Sequence, residues 1–239
     1  FTIPKEEGIL SVIFWAVLLI AECVGLLEMA VHFYNMYDYD RVKLHTPYMK
    51  KEDLPEVDVF IPTINEDIKL LEKTLYVCKQ MEYPDKNKVH IYLCDDGNRQ
   101  EVKELAEKML IYYVTRSEHK DAKAGNLNYA LQKSSSPYIA VFDADMMPKK
   151  KFLMRTIPWF SKEKIGFVQT PQNFYYPDLF RYNLYASDHI PNEQDYFYKV
   201  VQVAKNKSNS VIFGGSNAVL SRKALEETGG FVTGVVTED

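Results

Sequence analysis

Asp143-Ala144-Asp145 closes the apolar run Tyr138-Ile139-Ala140-Val141-Phe142. Two carboxylates two positions apart on a strand project to the same side, so both can converge on one hard cation. Mg2+ or Mn2+ held this way keeps open positions for phosphate oxygens and water, the chemistry of a nucleoside diphosphate. Asp145 is the better placed of the two for the metal, and Asp143 for a ribose hydroxyl or the same ion. Alone, an Asp-x-Asp is as readily an ordinary acidic turn, so its company decides.

That company comes in order along the chain. Pro62-Thr63-Ile64-Asn65-Glu66 follows an apolar run where a Rossmann enzyme needs Gly-x-Gly-x-x-Gly and a P-loop enzyme Gly-x-x-x-x-Gly-Lys, and both motifs are missing. In Asp95-Asp96-Gly97-Asn98 a carboxylate can accept the N3 proton of uracil or a ribose hydroxyl, with Gly97 suited to a left-handed turn. Asp121-Ala122-Lys123-Ala124-Gly125-Asn126-Leu127-Asn128 opens a predicted helix whose free amides, with Lys123, suit phosphates. Gln169-Thr170-Pro171 leads into Gln172-Asn173-Phe174-Tyr175-Tyr176, amide and aromatic groups fitted to a sugar chain. Phe213-Gly214-Gly215-Ser216-Asn217 joins two apolar runs, its glycines allowing close approach to backbone. Thr237-Glu238-Asp239 follows Gly229-Gly230-Phe231.

These residues need elements to hold them. Short apolar runs alternate with amphipathic stretches, which predicts an α/β fold with a mostly parallel sheet. Strands are expected at 57–61, 89–94, 111–114, 138–142 and 165–169, and helices around 67–81, 100–108, 122–132 and 149–160. In such sheets ligands bind beyond the carboxyl ends of strands, where Thr63, Asp95, Asp96 and the two aspartates fall. Residues 191–205 form an amphipathic stretch suited to a membrane surface or to covering the sheet.

Residues 9–27 are apolar all round except for Glu22, about the ~20 residues that cross a bilayer. One transmembrane helix over about 9–29 is therefore expected within an N-terminal segment 1–37, followed by a linker 38–55 and a globular domain 56–239. Glu22 and Glu28 call for further membrane helices or the interface, since a carboxylate at the bilayer centre costs about 2.5–3.5 kcal/mol. Arg41, Lys43, Lys50 and Lys51 follow the span and place the domain in the cytoplasm. The chain's 239 residues carry a formal charge of −4 and a pI near 5.8, which argues against nucleic acid as a partner. Cys23, Cys78 and Cys94 lack metal-ligand spacing and read as small apolar residues of a reducing compartment.

The ordered set Asp-Asp-Gly, Lys-Ala-Gly-Asn, Asp-x-Asp, Gln-Thr-Pro and Thr-Glu-Asp behind a membrane helix resembles the processive family 2 glycosyltransferases. Val168-Gln169-Thr170-Pro171, Phe174-Tyr175-Tyr176-Pro177-Asp178 and Phe213-Gly214-Gly215-Ser216 are most similar to bacterial cellulose synthase catalytic subunits. The resemblance implies a GT-A fold, UDP-glucose as donor, Mg2+ or Mn2+, and a growing β-glucan acceptor extended by inversion at a cell-membrane enzyme. Thr63, Glu66, Asp95, Asp96, Lys123 and Asp143 would then bind the donor, and Asp143 and Asp145 the metal. Gln169, Thr170, Pro171, Phe213, Gly215, Ser216 and Glu238 would border the acceptor, with Asp239 as general base. A hyaluronan, chitin or poly-N-acetylglucosamine synthase using UDP-N-acetylglucosamine is the alternative within the enzyme class, and a non-catalytic membrane-anchored scaffold the alternative outside it. Gly214 stands where the family has cysteine, and the family's Gln-x-x-Arg-Trp motif and later membrane helices are missing, so these residues are expected to be an inactive part of a longer chain.

Overall fold

The computed structural model describes residues 8–37, 45–175, 179–185 and 189–234. They belong to two compact units, one drawn from Phe1–Lys43 and Asn173–Val211, the other from Leu44–Gln172 and Ile212–Asp239. The segment around 173–211 thus separates from the domain that the sequence places at 56–239.

In the first unit a single helix, α1 (Ile9–Met36), runs 28 residues, past its predicted end near residue 29. No proline interrupts it, and leucine, isoleucine and valine keep it apolar on every side. With a mean hydropathy of 2.5 and none of its most apolar window buried, it is long and apolar enough to cross a membrane. The unit also holds α6 (Leu179–Asn183), α7 (Glu193–Tyr196) and α8 (Gln202–Lys205). A π-helical turn, Phe197–Val201, joins the last two, so the amphipathic stretch is helical from Glu193 onward. Asn192 caps it by accepting from the Gln194 N–H. Lys207 donates to the Tyr34 carbonyl at 3.2 Å and lies 4.1 Å from the Tyr34 ring centre, so a cation meets the carboxyl end of α1.

The second unit is built on a six-stranded sheet: β1 (Val57–Thr63), β2 (Val89–Asp95), β3 (Tyr112–Val114), β4 (Tyr138–Val141), β5 (Phe167–Gln169) and β6 (Ala218–Ser221), ordered β3-β2-β1-β4-β6-β5. The first four run parallel, while β6 pairs antiparallel with both β4 and β5. All five predicted strands are present within two residues of their expected ends. β6 was not anticipated: Ala-Val-Leu-Ser is too short for periodicity to distinguish from a buried turn or the start of the next helix.

Burial explains the layers. Along β1, Val57, Val59 and Ile61 face a core completed by α2 (Ile68–Lys79), α3 (Gln100–Lys108) and α5 (Phe152–Thr156). Phe60 faces the opposite core, completed by α4 (Ala122–Lys133) and α9 (Arg222–Thr228). This is the two-residue alternation of a strand covered on both sides. The helix predicted at 149–160 is split, because Pro158 lacks an N–H; the chain tightens into a 3-10 turn at Ile157–Ser161.

At the amino end of the sheet Asp58 is fully buried. It accepts from the Ser136 amide at 2.9 Å, the Ser136 hydroxyl at 2.7 Å and Arg222 at 3.1 Å. Arg222 also donates to the Ser136 and Leu131 carbonyls and to the Ser134 hydroxyl. One buried, fully bonded pair thus ties β1, the end of α4 and the start of α9 together.

Candidate functional site

Strand order reverses between β1 and β4, and the carboxyl ends of β1, β2 and β4 open on the same side, where a doubly wound sheet leaves its crevice. Asp143 and Asp145 lie just past β4. The Asp143 amide donates to the buried Ser216 hydroxyl at 2.9 Å, and Asn217 donates from its amide to Val141 at 2.8 Å. The Asp143 carboxylate pairs with Lys123 at 2.8 Å. Asp145 is exposed, with no hydrogen bond or ion pair among the described residues. Nor do the described residues gather three His, Cys, Asp or Glu side chains around one point. A two-carboxylate donor set fits a hard cation that takes its other ligands from phosphate and water, as Mg2+ does, and does not fit a closed structural site.

Thr63 and Asp95 sit opposite each other at the ends of β1 and β2. Arg99, at the start of α3, welds them: it reaches the Asp95 carboxylate at 3.2 Å, the Thr63 hydroxyl at 2.7 Å and the Glu66 carbonyl at 2.7 Å. Asp95 is wholly buried and also accepts from Tyr113 at 3.1 Å and from the amides of Gly97 and Arg99. Burial, with the Asp95 charge beside it, pushes the Tyr113 phenol up to about 12. Thr63 spends its proton on Glu66 at 2.6 Å, and the Ile64 and Asn65 amides bond the same Glu66 oxygen. Burial pushes the Glu66 carboxyl up, but these donors outweigh it and hold it below the usual carboxylate range. Asp95, Thr63 and one Glu66 oxygen therefore form the rigid floor of the crevice.

Asp96, the neighbouring carboxylate, is buried as well but has different partners. Arg116 grips it with two bonds of 2.7 Å, and His119 stands 3.8 Å away. Each carboxylate oxygen retains a second lone pair for a donor such as uracil N3–H. Gly97 works differently from expectation: its φ is not positive, and Asn98, at φ 48°, makes the left-handed turn. A side chain at Gly97 would strike the Ile64 carbonyl, so the glycine serves close packing of the two strand ends.

Helix α4 links all these pieces. Lys123 reaches the end of β4, and Asn126 donates to the Cys94 carbonyl in β2 at 2.8 Å. Asn128 exchanges two bonds of 2.8 Å with the Phe231 backbone. Arg116 binds the Lys120 carbonyl ahead of the helix and the carbonyl of its first residue, Ala122, and any side chain at Gly125 would collide with Lys120 and Arg116.

On the far side of β4, the Gln169 amide donates to the Ser216 carbonyl at 2.9 Å and accepts from the Gly214 amide at 3.0 Å. The Thr170 hydroxyl donates to Asn217 at 2.8 Å. The Phe213 ring packs 6.3 Å from both Phe167 and Phe231. Gln169, Thr170, Phe213 and Ser216, expected at the acceptor, thus spend their side chains on shaping the 213–217 loop behind Asp143. Gly215 takes a φ of 70°, which only glycine adopts easily, and Pro171 is exposed. Tyr176, Glu238 and Asp239 lie outside the described residues. Arg99, Arg116, Asn126 and Asn128 were not anticipated. For the two asparagines a signal existed, because asparagine is a poor interior helix residue and two within one turn ask for another role.

Residues 58–229 match the family model for glycosyl transferase family 2. The chain is 41% identical over 189 residues to a cellulose synthase catalytic subunit (UDP-forming) of Pseudomonas fluorescens, covering 79% of this chain and 25% of that one. It is 37% identical to the cellulose synthase 1 catalytic subunit of Komagataeibacter xylinus, over 98% of this chain and 31% of that one. The chain therefore spans about a quarter to a third of the length of these relatives. A mannosyltransferase from Pyrobaculum calidifontis, solved with GDP-Man and Mn2+, is similar over 91% of this chain and 61% of its own, with a TM-score of 0.64 and 25% identity.

Proposed function

Because the chain belongs to glycosyl transferase family 2 and has a GT-A-like fold, we propose that it carries the donor half of a cellulose-synthase-type enzyme, adding glucose from UDP-glucose to the non-reducing end of a β-glucan. One observation carries the reading: an exposed Asp145, unpaired among the described residues, beside an Asp143 fixed by Ser216 and Lys123, beyond the strand-order switch. That the 41% and 37% identical relatives are cellulose synthase catalytic subunits favours glucose over an N-acetylated donor.

Asp145, with Asp143, would hold Mg2+ or Mn2+, whose charge offsets that gathering on the departing diphosphate. Asp96, held rigid by Arg116, takes the uracil N3 proton as a hydrogen bond, and Lys123 lies between Asp143 and the diphosphate. An α-linked donor giving a β-linked product requires inversion, so one base must take the acceptor hydroxyl proton on the face opposite the leaving group; Asp239 of Thr237-Glu238-Asp239 has that role. Pro171 and Gly215 border the acceptor with Glu238. α1 anchors the enzyme in the cell membrane beside further helices of the full-length protein, with the transferase domain on the cytoplasmic side.

Calorimetry of UDP binding with and without Mn2+ tests the donor site. Asp145→Ala should abolish the Mn2+-dependent gain in affinity. Asp239→Asn, in the full-length enzyme, should remove turnover and leave UDP affinity intact. UDP binding indifferent to both Mn2+ and Asp145 would overturn the reading.

A further inference from the structure

Lys123 and Asp143 meet at 2.8 Å with side chains only 20% and 34% exposed, so salt screens the pair weakly. The lysine stands where helix physics disfavours it. It lies in the first turn of α4, whose dipole repels a cation, and that turn holds no acidic residue to offset the charge. Its backbone is held in place. Asp121 and Ala122 take left-handed φ values of 59° and 34°, and Arg116 bonds the Lys120 and Ala122 carbonyls at 2.6 and 2.7 Å. Non-glycine residues persist in that region only where their surroundings over-determine it. On the other side, Ser216 fixes the Asp143 amide, and Asp145 is exposed with no hydrogen bond or ion pair among the described residues. With both backbones pinned, a change at this site falls to the Lys123 side chain.

We propose that Lys123 is a built-in counter-cation for Asp143, drawn off by a nucleoside diphosphate as a divalent cation takes the two carboxylates, so that metal binds tightly only together with nucleotide. The proposal rests on the assignment of Asp143 and Asp145 as the metal site. While Lys123 neutralises Asp143, Asp145 alone carries uncompensated charge, and a dication on both carboxylates would meet an ammonium of its own sign. A diphosphate reverses the balance. Its charge suits both the ammonium and the free amides of the same helix end, so Lys123 passes from carboxylate to phosphate and releases Asp143. By linkage, each ligand then raises the affinity for the other by the same factor.

Mn2+ binding to the full-length enzyme, read from loss of the free-ion electron paramagnetic resonance signal, tests this without any turnover. In the absence of UDP, Lys123→Met and Lys123→Gln should each bind Mn2+ roughly tenfold more tightly than wild type. Lys123→Arg, which keeps the charge, should bind it as weakly as wild type. With UDP present the gain should disappear, because the phosphates have then lost a cationic partner. Unchanged UDP-free affinity in the Met and Gln variants overturns the proposal and leaves Lys123 a phosphate ligand only. A fall in that affinity also overturns it, since Lys123 would then be propping Asp143 into place, and so does loss of folded protein in both variants. Asp145→Ala is measured alongside. Mn2+ binding that ignores Asp145→Ala would defeat the metal-site assignment itself, whereas binding that needs Asp145 but is indifferent to Lys123 would defeat only the counter-cation.

Discussion

The Ser216 hydroxyl accepts the Asp143 N–H at 2.9 Å across 73 residues, so the loop before β6 sets the backbone of the Asp-x-Asp turn. Ser216 is fully buried. Ser216→Ala leaves a buried amide without a partner, worth about 1–3 kcal/mol. The turn should shift to recover a bond, lowering UDP affinity in Mn2+ about tenfold and affinity without metal much less. Paired titrations with and without Mn2+ measure the difference.

Arg116 and Gly125 are one device. The guanidinium clamps Asp96 through Nε and Nη2 while Nη1 and the same Nη2 hold the Lys120 and Ala122 carbonyls, and Gly125 leaves the space for it. Gly125→Ala should push Arg116 off Asp96 and cost UDP binding about as much as Arg116→Ala itself. The double variant should be no worse than either single one, since residues sharing one network are not additive.

Arg222→Ala strands the buried Asp58 carboxylate at the opposite end of the sheet. Removing one member of a buried ion pair typically costs about 3–5 kcal/mol. The midpoint of denaturant unfolding should fall accordingly, while a folded remainder at low temperature keeps wild-type UDP affinity. Asp58→Asn should be milder, because its amide oxygen can still accept from Ser136 and Arg222.

Glu66 links the crevice to pH. Its carboxyl is held below its usual value by Thr63 and the Ile64 and Asn65 amides, against the effect of burial. A depressed folded-state value contributes stability above the unfolded value of about 4.3, and that contribution is lost as pH falls through the folded value. Glu66→Gln should therefore lower stability in the neutral range, where the contribution is present, leave the acid range little changed, and so flatten the loss of stability below about pH 4. Thermal unfolding at stepped pH reads this directly.

The sequence by itself determined the α/β class, five of the six strands, the long apolar helix and the carboxylates at strand ends. Those features depend on local periodicity and on residue chemistry, which a linear chain displays openly. It also put Asp143 and Asp145 just past one strand end, while the pairing of Lys123 in α4 with Asp143 came from the fold. Only the tertiary structure decided which polar groups remain for ligands. Asp95 and Asp96 are adjacent and chemically identical, yet Asp95 is bonded by Arg99 and Tyr113 while Asp96 is held by Arg116 from the segment before α4. Gln169 and Thr170 suited a sugar on paper, and the structure bonds them to the 213–217 loop, whose Ser216 accepts from the Asp143 amide. Their partners lie 45–73 residues away. A buried hydrogen bond is decided by what packing brings within 3 Å, and sequence spacing carries no record of that.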